Sequence, residues 1–166
     1  MSFLSILLSI DRYIRLGLRW AIILLMISMT VIVFLQVVFR YLWDAPLGWS
    51  EEVSRFLFVW VTFLAAANLV RIGQHVSVKT FVELFPPAIK IFSEVIGHLI
   101  VIFCSVIFFI GGYGITIKEW IQLSPALQIE MGWIYLVIPV ATALMIIWAF
   151  VDLISTLSEI KTRRVQ

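Results

Sequence analysis

Four long runs of apolar residues alternate with short polar segments along this chain. We place membrane spans at about residues 16–39, 53–71, 93–117 and 132–154. The first run has 24 residues, which as a helix is ~36 Å long, enough to cross a hydrocarbon core of about 30 Å. The pattern predicts an all-α membrane protein with four transmembrane helices, in which residues 1–166 form a single integral membrane domain.

Two shorter stretches have the pattern of amphipathic helices. Residues 3–15 carry serine and arginine side chains near one face and apolar side chains on another, so we expect an interfacial helix lying flat on the membrane. A simple N-terminal extension of the first span is the alternative. Residues 76–85 have apolar side chains at helical spacing and predict a second interfacial helix, ended by Pro86 and Pro87.

Composition supports the membrane assignment. The chain is 63% hydrophobic, its mean hydropathy is +1.10, and 13% of its residues are charged. Soluble domains have about 25% charged residues. The net charge of +2 gives no reason to expect a nucleic-acid partner.

Lysine and arginine are divided unequally between the two sides of the membrane. Nine of the 12 lie before or at the start of the first span, at the end of the second span or between it and the third, or after the fourth span. The other three are Arg40, Arg55 and Lys118. By the positive-inside rule, both termini are expected in the cytoplasm, and the segments around Arg40, Arg55 and Lys118 are expected to face outward.

A dense polar cluster stands directly before the second apolar run. Its members are Trp49, Ser50, Glu51, Glu52 and Arg55, and we add Arg40 from the end of the first span. Arg55 follows Glu51 by four residues and Glu52 by three, which places both acids beside it on a helix. Ser50 is a candidate N-cap, and carboxylates in a first turn favour the helix dipole.

Two interpretations of this cluster remain open. The first is a capped helix start with a surface ion pair worth under about 1 kcal/mol. The second is a contact to another helix or subunit. We expect Glu51, Glu52 and Arg55 to pair among themselves or with Arg40 and to fix the junction of spans one and two.

Candidate chemistry elsewhere is sparse. The sequence has no motif of a metalloprotease, an α/β-hydrolase or a phosphate-binding loop. We therefore expect no enzyme activity, no metal site and no substrate-binding residue in this chain. No Asp, Glu, Lys or Arg lies near the middle of any span, so the chain alone is a poor ion-coupled carrier.

Two other classes of protein compete with a transport role. His75 and His98 both lie toward the predicted cytoplasmic side and are conceivable axial ligands of a haem, in a membrane redox subunit that uses haem or quinone. A free-standing membrane assembly protein is the other alternative. A visible haem band favours the first, and purification without a large partner favours the second.

Several motifs together resemble the small membrane subunit of tripartite ATP-independent periplasmic (TRAP) transporters. They are Arg40-Tyr41, Pro46, Trp49-Ser50-Glu51-Glu52-x-x-Arg55, Trp60, Arg71-x-x-x-His75-Val76, Ser124-Pro125-Ala126-Leu127, Gly132-Trp133-Ile134-Tyr135 and Pro139. The likeness covers essentially the whole chain. Glu130 departs from the pattern, because the family has a proline there.

The resemblance implies a small permease subunit, a scaffold packed against a large elevator-type membrane subunit. That large subunit would hold the sodium and substrate sites, so no cofactor is expected here. A periplasmic substrate-binding protein would bind transiently, and membrane lipids would surround the chain. The implied substrate is an organic acid, such as sialic acid or a C4-dicarboxylate, and the implied location is a bacterial or archaeal inner membrane.

Arg71 and His75 follow the second span and match one of these motifs. We assign them to the cytoplasmic end of span two. There we expect them to bind neighbouring backbone or lipid phosphate rather than substrate.

Overall fold

The computed structural model describes residues 3–45, 47–72 and 87–163, with side chains described for residues 11–45, 47–72 and 93–158. Five helices lie in these parts: α1 (Phe3–Leu42), α2 (Gly48–Ile72), α3 (Pro87–Lys118), α4 (Met131–Tyr135) and α5 (Val137–Arg163). Four stretches are long and apolar enough to cross a membrane: Asp11–Leu42, Gly48–Ile72, Ser93–Lys118 and Met131–Ser158. The predicted all-α membrane fold with four spans is confirmed.

Helix α1 runs without interruption from Phe3 to Leu42 over 40 residues, a length of ~60 Å. The separate interfacial helix predicted at residues 3–15 is not confirmed, because this segment continues directly into the first span. No proline stands in α1, and its one glycine, Gly17, does not break the helix. The other interfacial helix, predicted at residues 76–85, lies outside the described residues.

Helix α5 holds the bundle together. α3 and α2 both pack on α5, and α1 packs along α2. The most apolar stretch of the last span is 39% buried, whereas that of α1 is 0% buried. α1 therefore offers nearly all of its apolar surface to the surroundings, and the last span is the most enclosed of the four.

Small residues let α2 and α5 approach closely. Ala67 of α2 and Ala141 and Ala149 of α5 are almost completely buried in one cluster, together with Val70 and Trp148. Without a strong hydrophobic force between helices in lipid, such close contact is the main source of helix association. The alanines therefore set the spacing of the pair, and the Trp148 ring fills the space near its end.

The contact of α3 with α5 depends on Gly112. A Cβ atom at this position would overlap the Ile138 side chain. The neighbouring Gly111 and Gly114 have open space around them. Gly112 therefore serves internal packing, and the other two glycines lie on the outward side of α3.

The fourth span is broken near its start. The sequence predicted one helix over residues 132–154, but α4 ends at Tyr135 and α5 begins at Val137. Pro139 has no N–H to donate to the Tyr135 carbonyl, and its ring disfavours a regular helix one turn earlier. The chain continues through hydrogen bonds from Leu136 N to Gly132 O at 3.0 Å and from Val140 N to Leu136 O at 3.3 Å.

Candidate functional site

Charged side chains gather at both ends of the bundle. We call the region formed by residues 48–56 and 119–135 the loop end, because it contains the connection from α3 to α4. We call the region formed by residues 11–19, 68–72 and 148–152 the terminal end. The predicted cluster lies at the loop end, and Arg71 lies at the terminal end.

Ser50 is not the N-cap that the sequence predicted. Helix α2 already begins at Gly48. The Ser50 hydroxyl donates a hydrogen bond to the Leu47 carbonyl at 2.7 Å instead of accepting one from a backbone N–H. Its side chain is fully buried, so it serves the packing of the first turn.

Glu51 and Arg55 form the ion pair that their spacing predicts. Arg55 Nη2 lies 3.3 Å from Glu51 Oε1. The two side chains are 70% and 69% exposed. An exposed pair within one helix is worth under about 1 kcal/mol, so this contact does little to hold the fold together.

Glu52 has different partners from those that the sequence predicted. Its Oε2 accepts hydrogen bonds from Ala126 N at 2.9 Å and from Leu127 N at 3.1 Å. The expected pairing of Glu52 with Arg55 is therefore wrong. The carboxylate instead joins α2 to the connection between α3 and α4, because two adjacent backbone N–H groups of a turn can both donate to one carboxylate oxygen.

Internal hydrogen bonds hold this connection in one shape. Ser124 N donates to Ile129 O at 2.8 Å, and Gln128 N donates to Ser124 O at 3.1 Å. Gln128 has a φ of 56°, the left-handed backbone that closes the turn. Glu130 and Leu123 form an antiparallel bridge across the turn.

Two tryptophans pack together beneath the connection. The rings of Trp120 and Trp133 have their centroids 5.3 Å apart. A Cβ atom on Gly132 would overlap the Trp120 ring. The glycine therefore lets α4 lie directly against this tryptophan. This close packing fixes the position of α4 relative to the end of α3.

An open cavity of 440 Å³ lies between the start of α2 and the connection. Glu51, Glu52 and Arg55 border it on one side, and Pro125 and Ala126 border it on the other. The wall of this cavity therefore combines positively and negatively charged side chains with apolar surface. Such a surface suits contact with another protein better than the binding of a lone ion.

The remaining members of the predicted cluster lie outside these contacts. Trp49 is 43% exposed. Arg40, near the end of α1, is exposed, and no acid among the described residues lies within ion-pair distance of it. The predicted alternative of a pair between Arg40 and the acids of α2 is absent from the structure.

The terminal end is built around Arg71 and Asp11. Arg71 Nε donates to Asp11 Oδ1 at 3.1 Å, and Arg71 Nη2 donates to Asp11 Oδ2 at 2.9 Å. The side chains are 25% and 19% exposed. Two parallel hydrogen bonds between a guanidinium and a carboxylate fix both position and orientation. This contact ties the start of α1 to the end of α2.

Asp11 has two further partners. Trp148 of α5 donates its indole N–H to Asp11 Oδ1 at 3.1 Å. Arg15 of α1 places its Nε 3.2 Å from Asp11 Oδ2. Asp152 of α5 lies 3.9 Å from Arg71 Nη1. The network therefore joins α1, α2 and α5 at one point.

Arg71 has partners that the sequence did not predict. Its guanidinium pairs with carboxylates of two other helices, and a contact of Arg71 with lipid phosphate stays a prediction. His75, the other residue assigned to this end, lies outside the described residues, so its assignment stays a prediction.

Sequence reasoning also missed Asp11, Trp148 and Asp152. One signal was available: an acid among the arginines before span one, an arginine after span two and an acid late in span four all belong to the same predicted membrane side. Such charges at one end of neighbouring spans tend to pair. The choice of partner, however, depends on which helices are adjacent.

The described part of the chain bears on only one kind of cofactor site, a cluster of metal ligands. No group of three or more His, Cys, Asp and Glu side chains there could hold a metal ion. His98 is half-buried on α3. Because its proposed partner His75 is not described, the bis-histidine arrangement stays a hypothesis.

Comparison with known proteins agrees with this architecture. Residues 29–159 match the family described as tripartite ATP-independent periplasmic transporters, DctQ component. A TRAP transporter small permease protein of Haemophilus influenzae is 32% identical over 116 residues, which are 70% of this chain and 68% of that protein. The C4-dicarboxylate TRAP transporter small permease protein DctQ of Vibrio cholerae is 23% identical over 117 residues, covering 64% of this chain and 50% of that protein.

A longer relative also matches. The sialic acid TRAP transporter permease protein SiaT of Haemophilus influenzae is 30% identical over 121 residues, which are 73% of this chain and 20% of that protein. This chain therefore corresponds to a minor part of that polypeptide. With four candidate spans and a match over residues 29–159, this multi-pass membrane protein belongs to the DctQ component family of TRAP transporters and is a small permease subunit.

Proposed function

We propose that this chain is a scaffold subunit that packs beside a large membrane subunit, and that the large subunit carries the transported substrate and the coupling sodium ion. The substrate would be an organic acid of the sialic acid or C4-dicarboxylate class. The chain itself would have no catalytic activity and no cofactor. It would lie in a bacterial or archaeal inner membrane with both termini in the cytoplasm.

The absence of Asp, Glu, Lys and Arg from the central parts of the spans is the observation that carries the scaffold role. The sequence has no Asp, Glu, Lys or Arg within residues 20–39, 56–70, 95–117 or 133–151. Ion and substrate pathways through a membrane usually need such groups or unwound backbone. At the break in the fourth span, Leu136 N and Leu136 O keep helical hydrogen bonds, so this break offers no unwound backbone for an ion. We therefore assign the coupling site to another chain.

Two relatives that are much longer than this chain support the proposal that it has a membrane partner. The matched region is 20% of the SiaT permease protein and 21% of the isethionate TRAP transporter permease protein DctMQ of Oleidesulfovibrio alaskensis. In these relatives the counterpart of this chain is covalently joined to a much larger segment. A small subunit that is a separate chain would have to bind a separate large subunit to make the same contact.

The exposed surface of α1 is consistent with such an association. Its outward apolar side chains include Leu24, Ile27 and Phe34, which are 61%, 56% and 67% exposed. At the loop end, Glu51 and Arg55 stand free of the other helices. We assign the loop end to contact with the large subunit or, transiently, with a periplasmic substrate-binding protein.

Uptake by whole cells tests this function. A strain lacking only this chain is compared with the same strain carrying it on a plasmid, using labelled sialic acid and a labelled C4-dicarboxylate, each with and without a sodium gradient. We expect uptake of one of the two acids to be lost without the chain and restored by the plasmid, in a sodium-dependent manner. Equal uptake of every acid in both strains would contradict the proposal.

A further inference from the structure

A second cavity lies at the terminal end, between α1 and α2. Its volume is 480 Å³, and it is open on one side. The residues that border it are Arg12, Arg15, Leu16, Arg19, Asn68 and Ile72. We call it the arginine pocket. It is separate from the cavity at the loop end, and through Arg15 it borders the network around Asp11.

Helical spacing brings the three arginines together. Arg15 and Arg19 follow Arg12 by three and seven residues, which places all three on one face of α1. Asn68 of α2 adds an amide with both donor and acceptor groups. Three guanidinium groups and an amide thus border a single space.

The positive charge of this pocket is largely uncompensated. Asp11 pairs with Arg15, but it also accepts two hydrogen bonds from Arg71. Within the described part of the chain, Arg12 and Arg19 have no acid at ion-pair distance. Two charged donors are therefore available for an anionic ligand.

The apolar border indicates the kind of anion. Leu16 and Ile72 line the pocket and are 51% and 53% exposed. A small soluble anion gains nothing from this apolar surface, whereas a lipid can place its glycerol and first acyl carbons there. The pocket also lies near an end of two candidate spans, at the level where headgroups lie.

We propose that the arginine pocket binds the phosphate headgroup of one anionic membrane phospholipid, held by Arg12 and Arg19. Arginine suits this ligand because its planar guanidinium can donate two parallel hydrogen bonds to a phosphate. Basic pockets between membrane helices on the cytoplasmic side bind such headgroups, and that leaflet is rich in anionic lipid. The bound lipid would cover the groove between α1 and α2 at the terminal end.

Native mass spectrometry tests the proposal on the full chain, purified in mild detergent with any membrane partner that it retains. Phosphatidylglycerol is the anionic probe, and phosphatidylcholine is the neutral one. We expect one phosphatidylglycerol to bind more tightly than phosphatidylcholine. The substitutions Arg12→Gln and Arg19→Gln should each lower the affinity for phosphatidylglycerol about fivefold. Neither should change the affinity for phosphatidylcholine.

Lys118→Gln is the matched control, because it removes one exposed positive charge at the opposite end of the bundle. It should leave the affinity for phosphatidylglycerol unchanged. Arg12→Lys keeps the charge and should lose less affinity than Arg12→Gln. Because Arg12 and Arg19 are exposed and hold no other helix, these variants should fold normally.

Three results would overturn the proposal. Equal affinity for the two lipids would show that the pocket does not select charge. An equal loss in Lys118→Gln would show that net charge alone decides binding. Displacement of the lipid by millimolar inorganic phosphate would identify the pocket as a site for a free anion.

Discussion

The ion pairs at the two ends of the bundle use the same kinds of side chain and connect different parts of the molecule. At the loop end, Glu51 and Arg55 lie one turn apart on α2 and are mostly exposed. At the terminal end, Asp11 and Arg71 are 60 residues apart on two helices and are mostly enclosed. Trp148 of a third helix binds the same carboxylate.

The two ion pairs show that charged side chains can have two roles in a membrane protein. A pair within one turn adds little stability but leaves its charges accessible to a partner. A pair between helices fixes their relative position, since each charge would be costly without the other. The terminal end therefore holds the fold together, and the loop end remains available for assembly.

The largest expected effect comes from breaking the terminal pair. Arg71→Ala leaves the partly enclosed Asp11 carboxylate without its main partner. We expect the free energy of unfolding to fall by about 3 kcal/mol. This value is at the lower end of the range for breaking a buried ion pair, because both side chains keep some exposure. Thermal unfolding of the purified protein in detergent measures it. Arg55→Ala is the control at the loop end and should shift the melting temperature far less.

A double variant sharpens this prediction. If Asp11 and Arg71 act through each other, Asp11→Ala with Arg71→Ala should destabilise the protein by less than the sum of the two single changes. Strict additivity would mean that the two residues act independently, against the contact in the structure.

The next effect concerns the third helix in the terminal network. Trp148→Phe keeps an aromatic ring but removes the N–H that binds Asp11, so we expect a loss of about 1.5 kcal/mol, the value of a hydrogen bond to a charged group. Making Trp148→Phe in a protein that already carries Asp11→Ala separates the hydrogen bond from packing. In that protein Trp148→Phe should lower the stability by less, because the acceptor is already gone. An equal loss of stability in both proteins would mean that the whole effect comes from packing.

A smaller effect is expected for the contact of Glu52 with the connection. Glu52→Ala removes the acceptor for Ala126 N and Leu127 N. The cost should be only about 1 kcal/mol, because this contact borders an open cavity where water can bind the two freed amides. Hydrogen exchange should become faster at these two amides. Glu51→Ala is the neighbouring control and should leave both amides unchanged. Equal exchange in the Glu52 variant would mean that the carboxylate does not hold the connection.

The smallest effect on stability is expected at the exposed pair. Arg55→Ala should cost under about 1 kcal/mol and leave membrane insertion unchanged, yet lower uptake and recovery of the complex. Glu51→Ala should resemble it if the two charges contact a partner together. Wild-type uptake and complex recovery in both variants would remove the loop end from the assembly surface.

Much of the fold could be predicted because it follows from local pattern. Apolar runs marked the four spans, and the i,i+4 spacing marked the pair of Glu51 and Arg55. Pro139 also stood in the sequence as a signal for the break between α4 and α5, but the length of the apolar run obscured it. The start of α2 was placed too late because Gly48 and Trp49 give no strong sign of helix.

The contacts that join helices were not predictable in the same way. Glu52 binds backbone N–H groups of a turn, and a sequence does not reveal which amides of a distant turn point toward an acid. The pairing of Arg71 with Asp11 was missed, since residues 3–15 were assigned to a separate interfacial helix. Once residues 3–15 continue into α1, Asp11 comes to lie beside the end of α2.

Co-purification tests the central claim most directly. The chain is tagged at Gln166 and extracted from its own membranes in a mild detergent, and the proteins that accompany it are identified and quantified by mass spectrometry. The scaffold account predicts one large multi-pass membrane protein in an amount equal to the tagged chain, with recovery lowered in Arg55→Ala. Recovery of the tagged chain alone, under conditions in which it remains folded, would contradict the account.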